Sequence, residues 1–365
     1  MRIAQVSPLY ESVPPKLYGG TERVVSYLTE ELVRTGHEVT LFASGDSITR
    51  AKLVPGCPRA LRLDKRCVDP LAPHIVMMEE VFRQAETFDI IHFHIDYLHF
   101  PLSRRLGVPH VTTLHGRLDI ADLQSLYREY CSMPLVSISN AQRRPLHWCN
   151  WVATVYHGLP IGTSRLSPEP GDYLAFLGRI SPEKGCDRAI EIARRAGLPI
   201  KIAAKIDNAD RTYYEQVIKR LFELPHVEYV GEIDESQKQS FLGNALATLF
   251  PIDWPEPFGL VMIESMSVGT PVVAFSCGSV PEIMLDGKTG YVVNDIDEAV
   301  EAVARVQWID RAECRAVFEE RFSSRRMAQD YQKVYAQIIE GGSRLGRGHP
   351  GQRPVLHPRH LPASG

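Results

Sequence analysis

The chain has 365 residues, 44% of them hydrophobic and 23% charged, and a formal net charge of −3. That length exceeds one ordinary core, so two domains are expected, and the composition is globular rather than disordered or fibrous. The slightly acidic balance gives no nucleic-acid footprint. Seven scattered cysteines without a C-x-x-C pair indicate neither a zinc site nor a disulfide framework; reduced thiols in a cytoplasmic protein are expected.

The first residues read as a strand, Arg2–Ser7, without the long apolar core of a signal peptide. No apolar run approaches membrane-spanning length. A helix is expected over Thr21–Thr35, with Val24, Val25, Leu28 and Leu32 on one side and Gly36 closing it. Further strands are expected at Glu38–Ala43, Ile90–Phe93, His110–Leu114, Leu135–Ser139 and Val152–Tyr156. A polar stretch rich in Ser, Pro and Gly, from Gly162 to Asp172, reads as the inter-domain linker. The pattern then restarts. Strands are expected at Tyr173–Leu177, Ile200–Ile206, Val227–Val230, Ala247–Phe250 and Pro271–Phe275. Helices are expected at Asp187–Ala196, Thr212–Phe222 and Glu235–Ala245, then from Asp297 to about Glu340. Alternating strand and helix, twice over, predicts two open parallel α/β sheets in series, with ligands at the carboxyl ends of the strands. The expected division is 1–160, 161–322, a helix over 323–340 packing back toward the first domain, and a tail over 341–365. That tail carries four Arg, three His, six Gly and four Pro with no acid. It reads as disordered and basic, able at most to touch an anionic membrane or polymer.

The densest chemical signal is Glu256-Pro-Phe-Gly-Leu-Val-Met-Ile-Glu264, followed by Ser265-Met-Ser-Val-Gly-Thr-Pro271. Two prolines keep Asp253–Pro257 out of helix. A helix from Phe258 to Gly269 suits the apolar spacing, and its opening amides, with Gly259 allowing close approach, would form an anion site. Glu256 would stand at the mouth of the turn and Glu264 about two turns along. The bland alternative is an amphipathic helix with two solvated glutamates. Gly178-Arg179-Ile-Ser-Pro-Glu-Lys184-Gly185 follows the first strand of the second half. Arg179 offers a fork to phosphate and Lys184 a point charge. Tyr18-Gly19-Gly20 opens the first long helix and could cradle a diphosphate on backbone amides, though it is not a dinucleotide fingerprint. His115, in Thr112-Thr-Leu-His-Gly116, ends a strand and would point into the cleft. His92, His94 and Asp96 alternate along an extended run and would share a face, but without a second cluster a metal site is not expected. Asp295-Ile-Asp297 precedes a helix, so Asp297 reads as a cap rather than a metal ligand.

The run from Glu256 to Pro271 resembles the E-x7-E signature of retaining glycosyltransferases, family 4, with the GT-B fold. The Gly178–Gly185 loop resembles that family's G-R-[IL]-x-x-x-K-G element, and Thr112–Gly116 its T-x-H-G. The resemblance implies a nucleotide-sugar donor, UDP-linked by expectation, and a sugar, lipid or small-molecule acceptor. It implies Arg179 and Lys184 on the phosphates, Glu256 on the donor sugar, Glu264 on the ribose and His115 near the reacting carbon. Gly19, Gly20, Pro257, Phe258, Gly259 and Leu260 would complete the donor site. No metal or further cofactor is expected, because the two cations serve the diphosphate. Where many members have Asn-Gly-Val-Asp this chain has His157-Gly-Leu-Pro160, and where many have a glycine pair it has Ala203-Ala-Lys205; both departures bear on base and sugar identity. A GT-B nucleotide-sugar 2-epimerase and a non-catalytic nucleotide-sugar sensor are the alternatives. The first would need carboxylates beyond the E-x7-E pair.

Overall fold

The computed structural model describes residues 1–16 and 19–345. Tyr18 and nearly all of the basic tail lie outside the described residues.

Two parallel sheets carry the chain. The first comprises β1 (Arg2–Val6), β2 (Glu38–Ser44), β3 (Lys52–Cys57), β4 (Ile90–Phe93), β5 (His110–Thr113), β6 (Leu135–Ser137) and β7 (Trp151–Thr154), in the order β3-β2-β1-β4-β5-β6-β7. The second comprises β8 (Tyr173–Arg179), β9 (Ile200–Lys205), β10 (Val227–Gly231), β11 (Ala245–Phe250), β12 (Val272–Phe275) and β13 (Gly290–Val293), in the order β10-β9-β8-β11-β12-β13. Every described pairing between these strands is parallel. The central strands are buried on both faces, as helices covering both sides require, and carry the buried polar residues Gln5, His92 and Thr248 among apolar ones. Each order reverses direction once, between β1 and β4 and between β8 and β11. Such switch points open a crevice at the carboxyl ends of the strands. The expected pair of Rossmann-like domains facing across a cleft is what the chain forms.

Several expected bounds change. Strand β3, which contains Pro55 and Gly56, is absent from the expected strands; it lies at the sheet edge, where a missing N–H donor is tolerated. The helix Leu71–Arg83 was not anticipated. The helix expected over Thr212–Phe222 contains a π-helical stretch, Tyr214–Ile218. The run His92–Asp96 does not stay extended, because Asp96 adopts a φ of 52° beyond the end of β4. The cap of the helix Ile296–Arg305 is Asp295, which accepts the Glu298 N–H at 2.9 Å, and not Asp297, which pairs with Arg195 at 2.6 Å.

The last helix, Ser324–Leu345, runs past the expected start of the tail at Gly341. Its Met327, Tyr331 and Tyr335 pack with Ile3, Leu28 and Val111 of the first domain, so this helix closes the first core from the far end of the chain. A second shared core joins Ile138 and Leu159 to Phe258, Met262 and Phe322. Polar contacts fix the same seam. Glu282 accepts the backbone N–H groups of Asn140 and Ala141 at 2.7 and 2.6 Å, and the Ser139 hydroxyl donates to the Pro257 carbonyl at 2.6 Å. Among the described residues no helix is long and apolar enough to cross a membrane.

Candidate active site

The second domain supplies the cations. Strand β8 ends at Arg179, and a short turn, Pro182–Lys184, follows. Gly185 closes that turn with a φ of 72°, and a Cβ there would run into the Pro251 carbonyl. Only glycine fits, and the close approach holds the Lys184 turn against the end of β11. Arg179 Nη2 lies 2.6 Å from Glu183 and its Nε 3.4 Å from Asp210. Lys184 Nζ lies 2.5 Å from Glu256 and 5.0 Å from the centre of the Trp254 ring.

Beyond β11 the chain turns through Pro255 and Pro257 and enters the helix Leu260–Ser267. The helix starts two residues later than Phe258, because Gly259 is left-handed, with a φ of 77°. Glu256 therefore sits on the turn, and Glu264 sits inside the helix. Gly278, with a φ of 57°, packs so closely on this turn that a Cβ would overlap the backbone of Pro255 and Glu256. The Ser279 N–H donates to the Glu256 carbonyl at 3.0 Å. Glu264 is buried between Arg23 of the first domain, at 2.6 Å, and Lys238 of the second, at 2.7 Å. Burial alone would raise its carboxyl, but Lys238 and Arg23 together hold it below the ordinary carboxylate value, so it stays ionised.

The first domain supplies the opposite wall. Gly19 and Gly20 lead into the helix Gly20–Arg34. A Cβ on Gly19 would meet Pro15 at 2.7 Å, while one on Gly20 would lie 3.6 Å from Leu260 across the cleft. The first position demands glycine, and the second faces the Leu260 side chain at ordinary contact distance. His115 follows β5. Its Nε2 lies 2.9 Å from His94 Nδ1, and its ring stacks on His157 at 5.3 Å with a 17° interplanar angle. His157 in turn packs 4.7 Å from Phe258. Burial pushes His115 down to about 3, and burial with its histidine neighbours holds His94 and His157 well below the ordinary value, so all three rings are neutral at pH 7.

These walls enclose a cavity of about 430 Å³, a size suited to a small-molecule ligand. Arg179, Lys184, Glu256, Glu264 and His115 all line it, as do Gly19, Gly20, Pro257, Phe258, Gly259 and Leu260. Arg23, Lys238 and Trp254 line it too and were not singled out in sequence, and His157, noted there only within a departure from the family's pattern, joins them. His157 stood in a motif that departs from the common pattern, which was a usable signal. Arg23 and Lys238 had none, since what marks them is a carboxylate 241 and 26 residues away. Among the described residues no group of three His, Cys, Asp or Glu is placed to hold a metal ion.

Residues 163–321 match the family model described as Glycosyl transferases group 1, and residues 18–157 match that of Glycosyltransferase Family 4. The chain is 26% identical over 378 residues to a phosphatidyl-myo-inositol mannosyltransferase of Mycolicibacterium smegmatis, covering 93% of this chain and 92% of that protein. Among solved structures it is similar to sucrose-phosphate synthase from Thermosynechococcus elongatus, with a TM-score of 0.74 at 18% identity, over 93% of this chain and 99% of that one. It is also similar to the Anabaena protein HepE in complex with UDP and glucose, with a TM-score of 0.72 at 18% identity, over 92% of this chain and all of that one. Both likenesses place the fold among GT-B structures, and the family matches favour a transferase over the epimerase and sensor alternatives. With its first half matching the family 4 model and its second half the group 1 model, the chain belongs to the GT-B glycosyltransferases.

Proposed function

We propose that the protein transfers a sugar from a nucleotide-sugar, a UDP-sugar by expectation, to an acceptor hydroxyl with retention of the donor's anomeric configuration. The observation that carries this reading is the Lys184–Glu256 pair beside Arg179, at the carboxyl ends of β8 and β11. A departing nucleoside diphosphate gains charge as the glycosidic bond breaks. Fixed cations there stabilise the transition state more than the ground state. Each cation already faces carboxylates, so an arriving diphosphate takes over the cations and leaves Glu256 to accept a sugar hydroxyl. Glu264, kept ionised by Lys238 and Arg23, can accept from both hydroxyls of a ribose. The similar HepE structure holds UDP and glucose, which supports UDP as the carrier.

The placing of charge supports the retention part of the reading. A diphosphate oxygen held by Arg179 and Lys184 can take the acceptor's proton on the face it is leaving, and no separate strong base is then needed. The cations also serve the diphosphate without a divalent ion. The acceptor enters from the first domain's side. The test is release of UDP from a panel of UDP-sugars, with a mixed sugar and lipid acceptor set, in the presence of EDTA. Acceptor-dependent UDP release that survives the chelator supports the reading. Loss of all activity in chelator, restored by Mn²⁺, overturns the metal-independent part. Release from GDP-sugars alone overturns the choice of carrier.

A further inference from the structure

His115 ends a continuous hydrogen-bonded chain that starts on the C-terminal helix. Tyr331 meets the Thr113 hydroxyl at 2.8 Å, and Thr113 meets His92 Nε2 at 2.7 Å. His92 Nδ1 lies 2.8 Å from the Tyr335 hydroxyl, to which Gln5 Nε2 donates at 3.0 Å. Gln5 Oε1 lies 2.8 Å from His94 Nε2, and His94 Nδ1 lies 2.9 Å from His115 Nε2. Gln5, His92, His94, Tyr331 and Tyr335 are each almost wholly out of contact with water. The far nitrogen of His115, Nδ1, is also buried and has no hydrogen-bond partner among the described residues.

The Gln5 amide gives this chain a direction. Its carbonyl oxygen can only accept, so His94 must carry its proton on Nε2. A neutral His94 then has a bare Nδ1, which can only accept from His115 Nε2–H. A neutral His115 with its proton on Nε2 has a bare Nδ1 at the end of the chain. We infer that Gln5 and His94 are positioning residues that hold His115 as the Nε2–H tautomer, so that its Nδ1 accepts a hydrogen bond from a hydroxyl of the transferred sugar. This deepens the proposed function and rests on it. It also selects a substrate class. At the sugar position facing His115 a hydroxyl fits, whereas a carboxylate, as in a uronic acid, has no proton to give and would meet a lone pair.

The direct test is the ¹⁵N spectrum of the histidine side chains in the full-length protein, which separates protonated from bare ring nitrogens. His115 is assigned by its loss in His115→Asn. The expected result at pH 7.5 is Nε2–H with bare Nδ1 for His94 and for His115. Gln5→Met removes the acceptor and should give His115 a mixture of tautomers. Turnover should fall about tenfold, the effect of one hydrogen bond, with UDP affinity unchanged. Gln5→Glu keeps an acceptor facing His94 and should restore the tautomer and most of the turnover. A wild-type His115 carrying its proton on Nδ1 overturns the inference, as does a Gln5→Met protein with an unchanged tautomer. If Gln5→Met does not fold, the wild-type spectrum decides alone. Because the spectrum needs no substrate, its failure is distinguishable from failure of the transferase reading.

Discussion

Lys184 and Glu256 stand 72 residues apart in sequence and 2.5 Å apart in the fold. Each reaches the other because a strand ends beneath it, β8 for the lysine and β11 for the glutamate. The pair is partly shielded from water, and the Trp254 ring lies over the ammonium. In such a place a charge acts more strongly than on an open surface. Arg179→Ala or Lys184→Ala should therefore lower turnover by roughly 100-fold, about 3 kcal/mol of barrier, while leaving the fold intact. Steady-state kinetics on folded variants provides the check. Near wild-type turnover for both would remove them from the leaving-group role. The residue types and spacings of this half of the site were readable in sequence, because E-x7-E and the Arg-to-Lys interval are local. Arg23 and Lys238 were not readable, because their meaning lies in Glu264, which the chain brings to them only after both domains form.

At the scale of elements, the site depends on turns that only glycine permits. Gly278 follows β12 and presses on the backbone of Pro255 and Glu256 with a left-handed φ of 57°. Gly278→Ala imposes both backbone strain and a collision with the Glu256 turn. It should cost about 2 kcal/mol of stability or more and reduce turnover far beyond that loss, since Glu256 must move. Chemical denaturation and kinetics on the same preparation test this; unaltered turnover would show that the turn position does not matter. The element-level reading from sequence succeeded where apolar runs are short and bounded, as in β4, β5 and β11. It failed at β3, where Pro55 and Gly56 disguise an edge strand, and at Leu71–Arg83, whose register is set by packing on β3 and β4 through Met77, Met78 and Val81. The helix after Gly259 was displaced by two residues because a left-handed glycine, not the apolar period, sets its start.

At the scale of the whole molecule, the histidines tie stability to pH. His92, His94, His99 and His157 are held well below their usual value by burial, and His115 is pushed down to about 3 from 6.5. A group whose folded value lies below its unfolded one binds fewer protons when folded. Stability is then complete above about pH 6.5 and is lost as pH falls from 6.5 toward the folded values, by up to about 1.4 kcal/mol per pH unit for each histidine. The urea midpoint should fall between pH 7.5 and pH 5, before most carboxylates titrate. An unchanged midpoint would mean that these rings are not buried neutral. The C-terminal helix belongs to this scale as well. It returns to the first domain and places Tyr335 against Gln5 of β1 and His92 of β4.

The central claim is transfer from a nucleotide-sugar with the leaving diphosphate, held by Arg179 and Lys184, receiving the acceptor's proton on its own face. The anomeric configuration of the fresh product tests it most directly. Proton NMR of the glycoside formed from an α-linked UDP-sugar reads that configuration from the anomeric coupling, since the new acetal centre does not mutarotate. An α-linked product is expected. A β-linked product would require attack from the opposite face with a separate base, and would contradict both the mechanism and the roles assigned to Arg179, Lys184 and Glu256.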